Sequence, residues 1–241
     1  MEQDEILDNS GRAKKVIVIF WIIIGVNLIG VVSGLFELDL LHTIKSGTYV
    51  SDYSAEMNDL RQGFIGIIQF CLLITSIVFF LQWFRRAYCN LHRIGVKGLK
   101  NSESMAIWSW FIPIISLFLP VRIMCEIWKK TQSKISEFDS SFKKIDISLF
   151  ITLWWILFII SNYIGNLSFE YALMYDTIDD IIMGSQLTLV FDALHIPEAL
   201  LVILIVTSIS KLEVKLYEEI HNNSDIEEIK VENPFNSVHL Q

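Results

Sequence analysis

Proline is scarce in this chain, four among 241 residues, and cysteine scarcer, with three. Cys71, Cys89 and Cys125 are odd in number and show no C-x-x-C spacing. That argues against a thiolate metal site and gives no basis for a disulfide framework, so reduced thiols are expected. Signatures of chemistry are missing as well. No G-x-S-x-G, H-E-x-x-H, Walker loop or Gly-rich dinucleotide turn occurs, so neither a catalytic residue nor a cofactor is expected. An excess of positive charge is also lacking: the formal net charge is −8, which argues against a nucleic-acid partner. No internal repeat is evident, so an inverted-repeat transporter is not indicated.

Long apolar runs, by contrast, are abundant. Val16–Phe36, Gly63–Phe84, Ile147–Asn166 and Leu187–Ser210 are each long enough to cross a hydrocarbon core ~30 Å thick as helix. None alternates in polarity as a barrel strand does. In lipid each backbone amide must be satisfied within its own segment, so helix is the form left for such runs. The fold class expected is all-α, a polytopic transmembrane helical bundle of four spanning helices. Arg12, Lys14 and Lys15 precede the first run, but no small-x-small site follows it, so an uncleaved anchor is expected.

Lys and Arg are retained on the cytoplasmic side, and their placement sets the orientation. They are dense before the first run and again at Arg85, Arg86, Arg93, Lys97 and Lys100, while residues 167–186 contain none. A fifth apolar segment, Met105–Val121, sits at the lower length limit for a span and is interrupted by Pro113 and Pro120. If it dips in and returns, seventeen basic residues share the cytoplasmic side with both termini and two lie outside; five full crossings give eight against eleven. A buried, Pro-broken re-entrant hairpin is therefore preferred over a short fifth span. Beyond Pro120, Ile123, Met124, Ile127 and Trp128 recur on one face, opposite Arg122, Glu126, Lys129 and Lys130, as in a helix lying in the membrane interface. The polar stretch on to Lys144 reads as a loop. The organisation expected is a cytoplasmic segment over 1–15, a transmembrane domain over 16–211, and an acidic cytoplasmic tail over 212–241 without regular structure.

Phe80 through Leu91 (FLQWFRRAYCNL), the Trp108-x-Trp110-Phe111-Ile112-Pro113-Ile114 block, Leu117-Phe118-x-Pro120 and Met124-x-Glu126-Ile127-Trp128 occur in that order. Together they resemble the DUF4328 family. The resemblance covers about residues 75–130 and does not reach the polar residues of the last span. It implies a bacterial multi-pass protein, hence the cytoplasmic (inner) membrane for helices of this kind, with no established biochemical function.

Two constellations stand out as candidate sites. Arg85, Arg86, Tyr88 and Asn90 lie at the inner end of the second span. They either bind an anionic headgroup or organise the fold, with Arg85 or Asn90 satisfying carbonyls freed by Pro113 and Pro120. Asp192, His195 and Glu198 follow at three-residue spacing and read as sharing one helix face. They suggest a metal or proton-relay site, unless the last helix begins near Glu198 and the first two lie in an external loop. Three function classes result. The first is a membrane interaction or regulatory module whose basic cytoplasmic face contacts anionic lipids or protein partners, a homo-oligomer included. The second is a transport or channel component using the re-entrant segment. The third is an intramembrane metal-dependent enzyme.

Overall fold

The computed structural model describes the backbone of residues 6–174 and 177–232, and their side chains except those of 172, 174 and 223–232. The described residues contain six α-helices and one 3₁₀ turn, and no strand. The helices are α1 (Ser10–Lys45), α2 (Asp52–Arg93), α3 (Met105–Trp108), α4 (Leu119–Phe138), α5 (Ser148–Met174) and α6 (Ile178–Glu232); the 3₁₀ turn is Ile115–Leu117. Helices α1, α2, α5 and α6 are long and apolar enough to cross a membrane.

Local chemistry places their ends. The α1 helix stops at Gly47, whose φ of 77° is the left-handed conformation that a helix C-terminus favours. Ser51 then opens α2 by accepting the Ser54 amide at 3.2 Å. Gly95, at φ 64°, ends α2 in the same way as Gly47 ends α1. Asp146 accepts the Ser148 amide at 2.8 Å, where α5 begins.

The chain divides into two compact units. One comprises residues 14–80 and 149–206, the spanning parts of α1, α2, α5 and α6. Of the most apolar 18 residues in each candidate span, only 17–33% are buried. Trp21, Ile29, Phe64, Ile67, Phe70 and Leu149 all point outward. A water-soluble domain would hide such a surface, whereas hydrocarbon solvates it without penalty. The chain is thus a multi-pass helical membrane protein in architecture.

The second unit comprises residues 1–13, 81–148 and 207–241. It groups residues 81–148 with the segment leading into α1 and with the later part of α6. Its core is dense: Trp83, Phe84, Tyr88 and Leu91 of α2, Ile123, Met124, Ile127 and Ile135 of α4, and Ile209 of α6 are all fully buried. The apolar face of α4 is therefore covered by protein, not laid into headgroups as expected. The helix also runs to Phe138, well into the stretch expected to be loop. Thr131 and Gln132 make this possible. Each returns its polar hydrogen to the carbonyl four residues earlier, and Gln132 also donates to Ile145 O at 2.9 Å. The acidic tail differs too, since α6 stays helical to Glu232. Pro234 lies outside the described residues.

Pro113 lies in the break between α3 and α4, and Pro120 lies at the start of α4. The α3 helix ends at Trp108, Pro120 occupies the first turn of α4, and residues 105–121 form no spanning helix. Most of the segment's large side chains are not covered by the rest of the protein. Ala106 and Ser109 are buried, but Trp108, Phe111, Ile114 and Phe118 are exposed. Backbone sterics explain how an unburied broken segment persists. Nearly every amide from Met105 to Phe118 finds a carbonyl two to four residues back, including Ile115 N to Pro113 O at 2.8 Å. That last bond closes a γ-turn on Ile114, at φ 68° and ψ −49°, a strained conformation for a β-branched residue.

Asp139, at the end of α4, ties this helix to α6. Its carboxylate accepts the Ser141 hydroxyl at 2.6 Å and the Lys215 ammonium at 2.9 Å. These two partners, Ser141 first, hold its carboxyl down to about 2. A depressed carboxyl contributes stability above the unfolded-state value of about 4 and loses it as pH falls through the folded value. Asp139→Asn is therefore expected to melt below the wild type at neutral pH, by a difference that persists to about pH 4 and closes towards pH 2. Thermal unfolding across that range checks it.

Candidate functional site: a polar line inside the helix bundle

Helix α6 begins at Ile178, so Asp192 lies about four turns inside it and the external-loop alternative does not hold. Asp192, His195 and Glu198 are all helical. They do not share one face, however. A step of three residues leaves 60° of rotation, so two steps place Glu198 about 120° around the helix from Asp192. The neighbours follow that rotation.

Asp192, 3% exposed, turns towards α1 and α2. Its Oδ1 accepts the Gln69 side-chain amide at 2.8 Å, and the same amide donates to Asn27 Oδ1 at 3.2 Å. The second carboxylate oxygen lies directly against Gly30 of α1, where no other residue would leave room. Asn27 is equally buried, and its Nδ2 has no partner among the described residues.

Glu198 turns towards α5, beside the fully buried Ser161. Neither the Ser161 hydroxyl nor Glu198 Oε2 closes a hydrogen bond of normal geometry. His195 sits between the two carboxylates. Its ring packs on Phe191 at 4.1 Å between centroids, and its Nε2 is 3.8 Å from Glu198 Oε2, too long for a direct bond. Pro197, inside the helix, has no amide to offer the Ala193 carbonyl, which adds a polar backbone group between Asp192 and His195. Among the described residues, no three His, Cys, Asp or Glu side chains gather as a metal-holding group, these three included.

A second polar layer lies nearer the α1–α2 turn. Ser33 is its centre: the hydroxyl accepts Arg61 Nε at 2.9 Å, and the carbonyl accepts Arg61 Nη2 at 3.3 Å and Gln62 Nε2 at 3.2 Å. Gln62 also donates to Glu37 at 2.9 Å, and Arg61 to Asn58 at 2.6 Å. Ser185 of α6 lies beside Glu37. Sequence reasoning overlooked Asn27, Ser33, Gln62 and Gln69. A signal was available, since all four interrupt or border apolar runs in which any amide or hydroxyl must find a partner.

The constellation of Arg85, Arg86, Tyr88 and Asn90, in the second unit, does not converge on one point. Tyr88 is buried and donates to Glu126 at 2.8 Å. Asn90 serves neither Pro113 nor Pro120. It grips the backbone of Leu7, accepting its amide at 3.1 Å and donating to its carbonyl at 2.9 Å. Asn9 extends the grip by donating to both Glu213 oxygens, at 3.2 and 3.1 Å. Arg85 is exposed, Arg86 is half-buried, and neither closes an ion pair among the described residues. Arg86 instead lies in the field of Arg12 and Arg93, which are of like charge. Outside the spans, burial pushes the Cys125 thiol up, so it rests as an unreactive neutral group.

Comparison with curated proteins and with solved structures matched none. The family described as Domain of unknown function (DUF4328) matches residues 46–211, well beyond 75–130, and this span includes the positions of Asp192, His195 and Glu198. With more than half of the chain matched, the protein belongs to the DUF4328 family.

Proposed function

We propose that this protein is a proton-handling component of a membrane transport system. In this reading Asp192 takes up a proton inside the bilayer, and His195 carries it around α6 to Glu198. The observation that carries the reading is the buried Asp192 carboxylate, set among spanning helices with Gln69 as its side-chain donor. An ionisable group in that setting is costly and points to function by default. His195 is three residues from each of two carboxylates that face different helices, which supports a relay around α6. The gap to Glu198 is wide enough for transfer to require a ring rotation or an intervening water.

Orientation in this proposal follows the charge distribution. The side holding seventeen of the nineteen basic residues is cytoplasmic, in a bacterial inner membrane, and the α1–α2 turn faces outward. The exposed aromatics between Trp108 and Phe118 then dip into the inner leaflet and return. A second reading, the basic-face module, is favoured by Arg12, Arg85 and Arg86, which close no ion pair among the described residues and would contact anionic headgroups.

The test is proton flux. Purified protein in liposomes with an entrapped pH dye, driven by a potassium diffusion potential, is expected to acidify the lumen faster than empty liposomes. Asp192→Asn, which keeps the hydrogen bond to Gln69 but not the titratable group, is expected to fall to the empty-liposome rate. Equal flux in both proteins defeats the proposal.

A further inference from the structure

Two helices place polar groups in two layers seven residues apart, and a third contributes to both layers. On α2, Gln62 belongs to the layer near the α1–α2 turn, and Gln69, seven residues on, bonds Asp192. On α6, Ser185 belongs to the first layer and Asp192, again seven residues on, forms the second. On α1, Glu37 and Ser33 are in the first layer and Asn27 in the second. Seven residues of helix rise ~10 Å, so the layers are separated by about one helical diameter.

What fills the gap is apolar. Leu189, one turn from Ser185 and just under one turn from Asp192, packs on α1 where Gly34 leaves space. A methyl added to Gly34 would sit 3.4 Å from Leu189 Cδ1. Leu189 is half-buried, and Ile65, between Gln62 and Gln69 on α2, is buried. The first layer is built like a wetted mouth. Arg61 is exposed, yet three of its hydrogen bonds go to buried Ser33 and Asn58, and Glu37 provides a proton-exchangeable carboxyl there. The fixed guanidinium charge disfavours a hydrated metal cation at this mouth, whereas a proton can pass by exchange through water and Glu37.

We infer that the Ser33–Glu37–Gln62 layer is the water-side entrance to Asp192, and that Leu189, seated on Gly34, is the plug that closes it. This rests on the proton-handling reading for its purpose but not for its geometry. Movement of Leu189 off Gly34 joins the two layers and exposes Asp192 to the outer face alone.

A membrane-impermeant carbodiimide with an amine nucleophile reports that exposure without reference to flux. It is applied to the full chain in spheroplasts and, separately, in inverted membrane vesicles, with modified Asp192 quantified by peptide mass. Asp192 is expected to be modified slowly from the outer side in the wild type. The rate should rise several-fold in Leu189→Ala and fall below wild type in Gln62→Leu, which dries the mouth and leaves the plug untouched. Modification should be absent from the inverted side. The same rate in all three proteins, no modification in any, or faster modification from the inverted side overturns the entrance. If that happens while Asp192→Asn still abolishes flux, the proton site survives and only its access route is wrong. Labelling as expected with unchanged flux in Asp192→Asn leaves the entrance standing and removes proton transport.

Discussion

Gly30→Ala is expected to disable the bundle as thoroughly as loss of Asp192 itself. A methyl at position 30 collides with the Asp192 carboxylate and comes within 3.1 Å of Gln69 Nε2. Neither neighbour has free space, because Asp192 is buried and Gln69 is already committed to Asp192 and Asn27. Relief requires either breaking the Asp192–Gln69 bond or moving α1 away from α6. Overpacking of this kind costs about 1–3 kcal/mol. The expected readouts are a lowered unfolding midpoint in detergent and liposome acidification at the empty-vesicle rate. Gly25→Ala is the control: the same helix carries it, and a methyl there meets nothing within 4 Å. Equal tolerance of both substitutions would show that Asp192 does not sit against α1.

The second large effect belongs to Ile135. It is fully buried and joins Ile6 from the N-terminal segment to Leu216 of α6, with Ile94, Phe138, Phe142, Leu212 and Ile220 packed around them. Truncation to alanine removes three carbons from a closed cluster, and such changes cost about 2–5 kcal/mol according to how far the site collapses. Ile135→Ala is expected to lower the stability of this unit by that amount. Limited proteolysis should then cut the segment around Ile6 and Leu7 well before it cuts the spanning helices. Simultaneous, equally small changes in both regions would contradict the division of the chain into two units.

Much of the architecture was legible because lipid imposes it. Four long, predominantly apolar runs admit only helix, and two prolines in a seventeen-residue run favour a break. The registers of Ile123, Met124, Ile127 and Trp128 were also readable, although their partner was not. Periodicity says which face is apolar and nothing about what covers it, so protein and headgroups were indistinguishable. Gln132 and Thr131 look like loop residues by polarity and become helical through bonds to backbone that composition does not reveal.

The site was harder to read for a related reason. Averaged hydropathy conceals single amides such as Asn27 and Gln69, yet these decide where Asp192 points. The spacing of Asp192, His195 and Glu198 was visible, but three-residue steps accumulate rotation, and only the positions of α1 and α5 show that the outer two diverge. Asn90 was placed in the right motif with the wrong partner. Its partner, Leu7, is 83 residues away in sequence, and no local pattern encodes that distance.

The Asn9–Glu213 bond also has a consequence for biosynthesis, because its two ends are 204 residues apart. At a translation rate of about 5–20 residues per second, Asn9 leaves the ribosome ~10–40 s before Glu213 exists. Ile6 must likewise wait for Leu216. The spanning helices can insert one after another as they emerge, whereas the segment of Ile6 and Asn9 stays undocked until this part of α6 has been made. Assembly of that unit therefore waits for Glu213 and Leu216, and a ribosome stalled before them leaves the segment of Ile6 and Asn9 undocked.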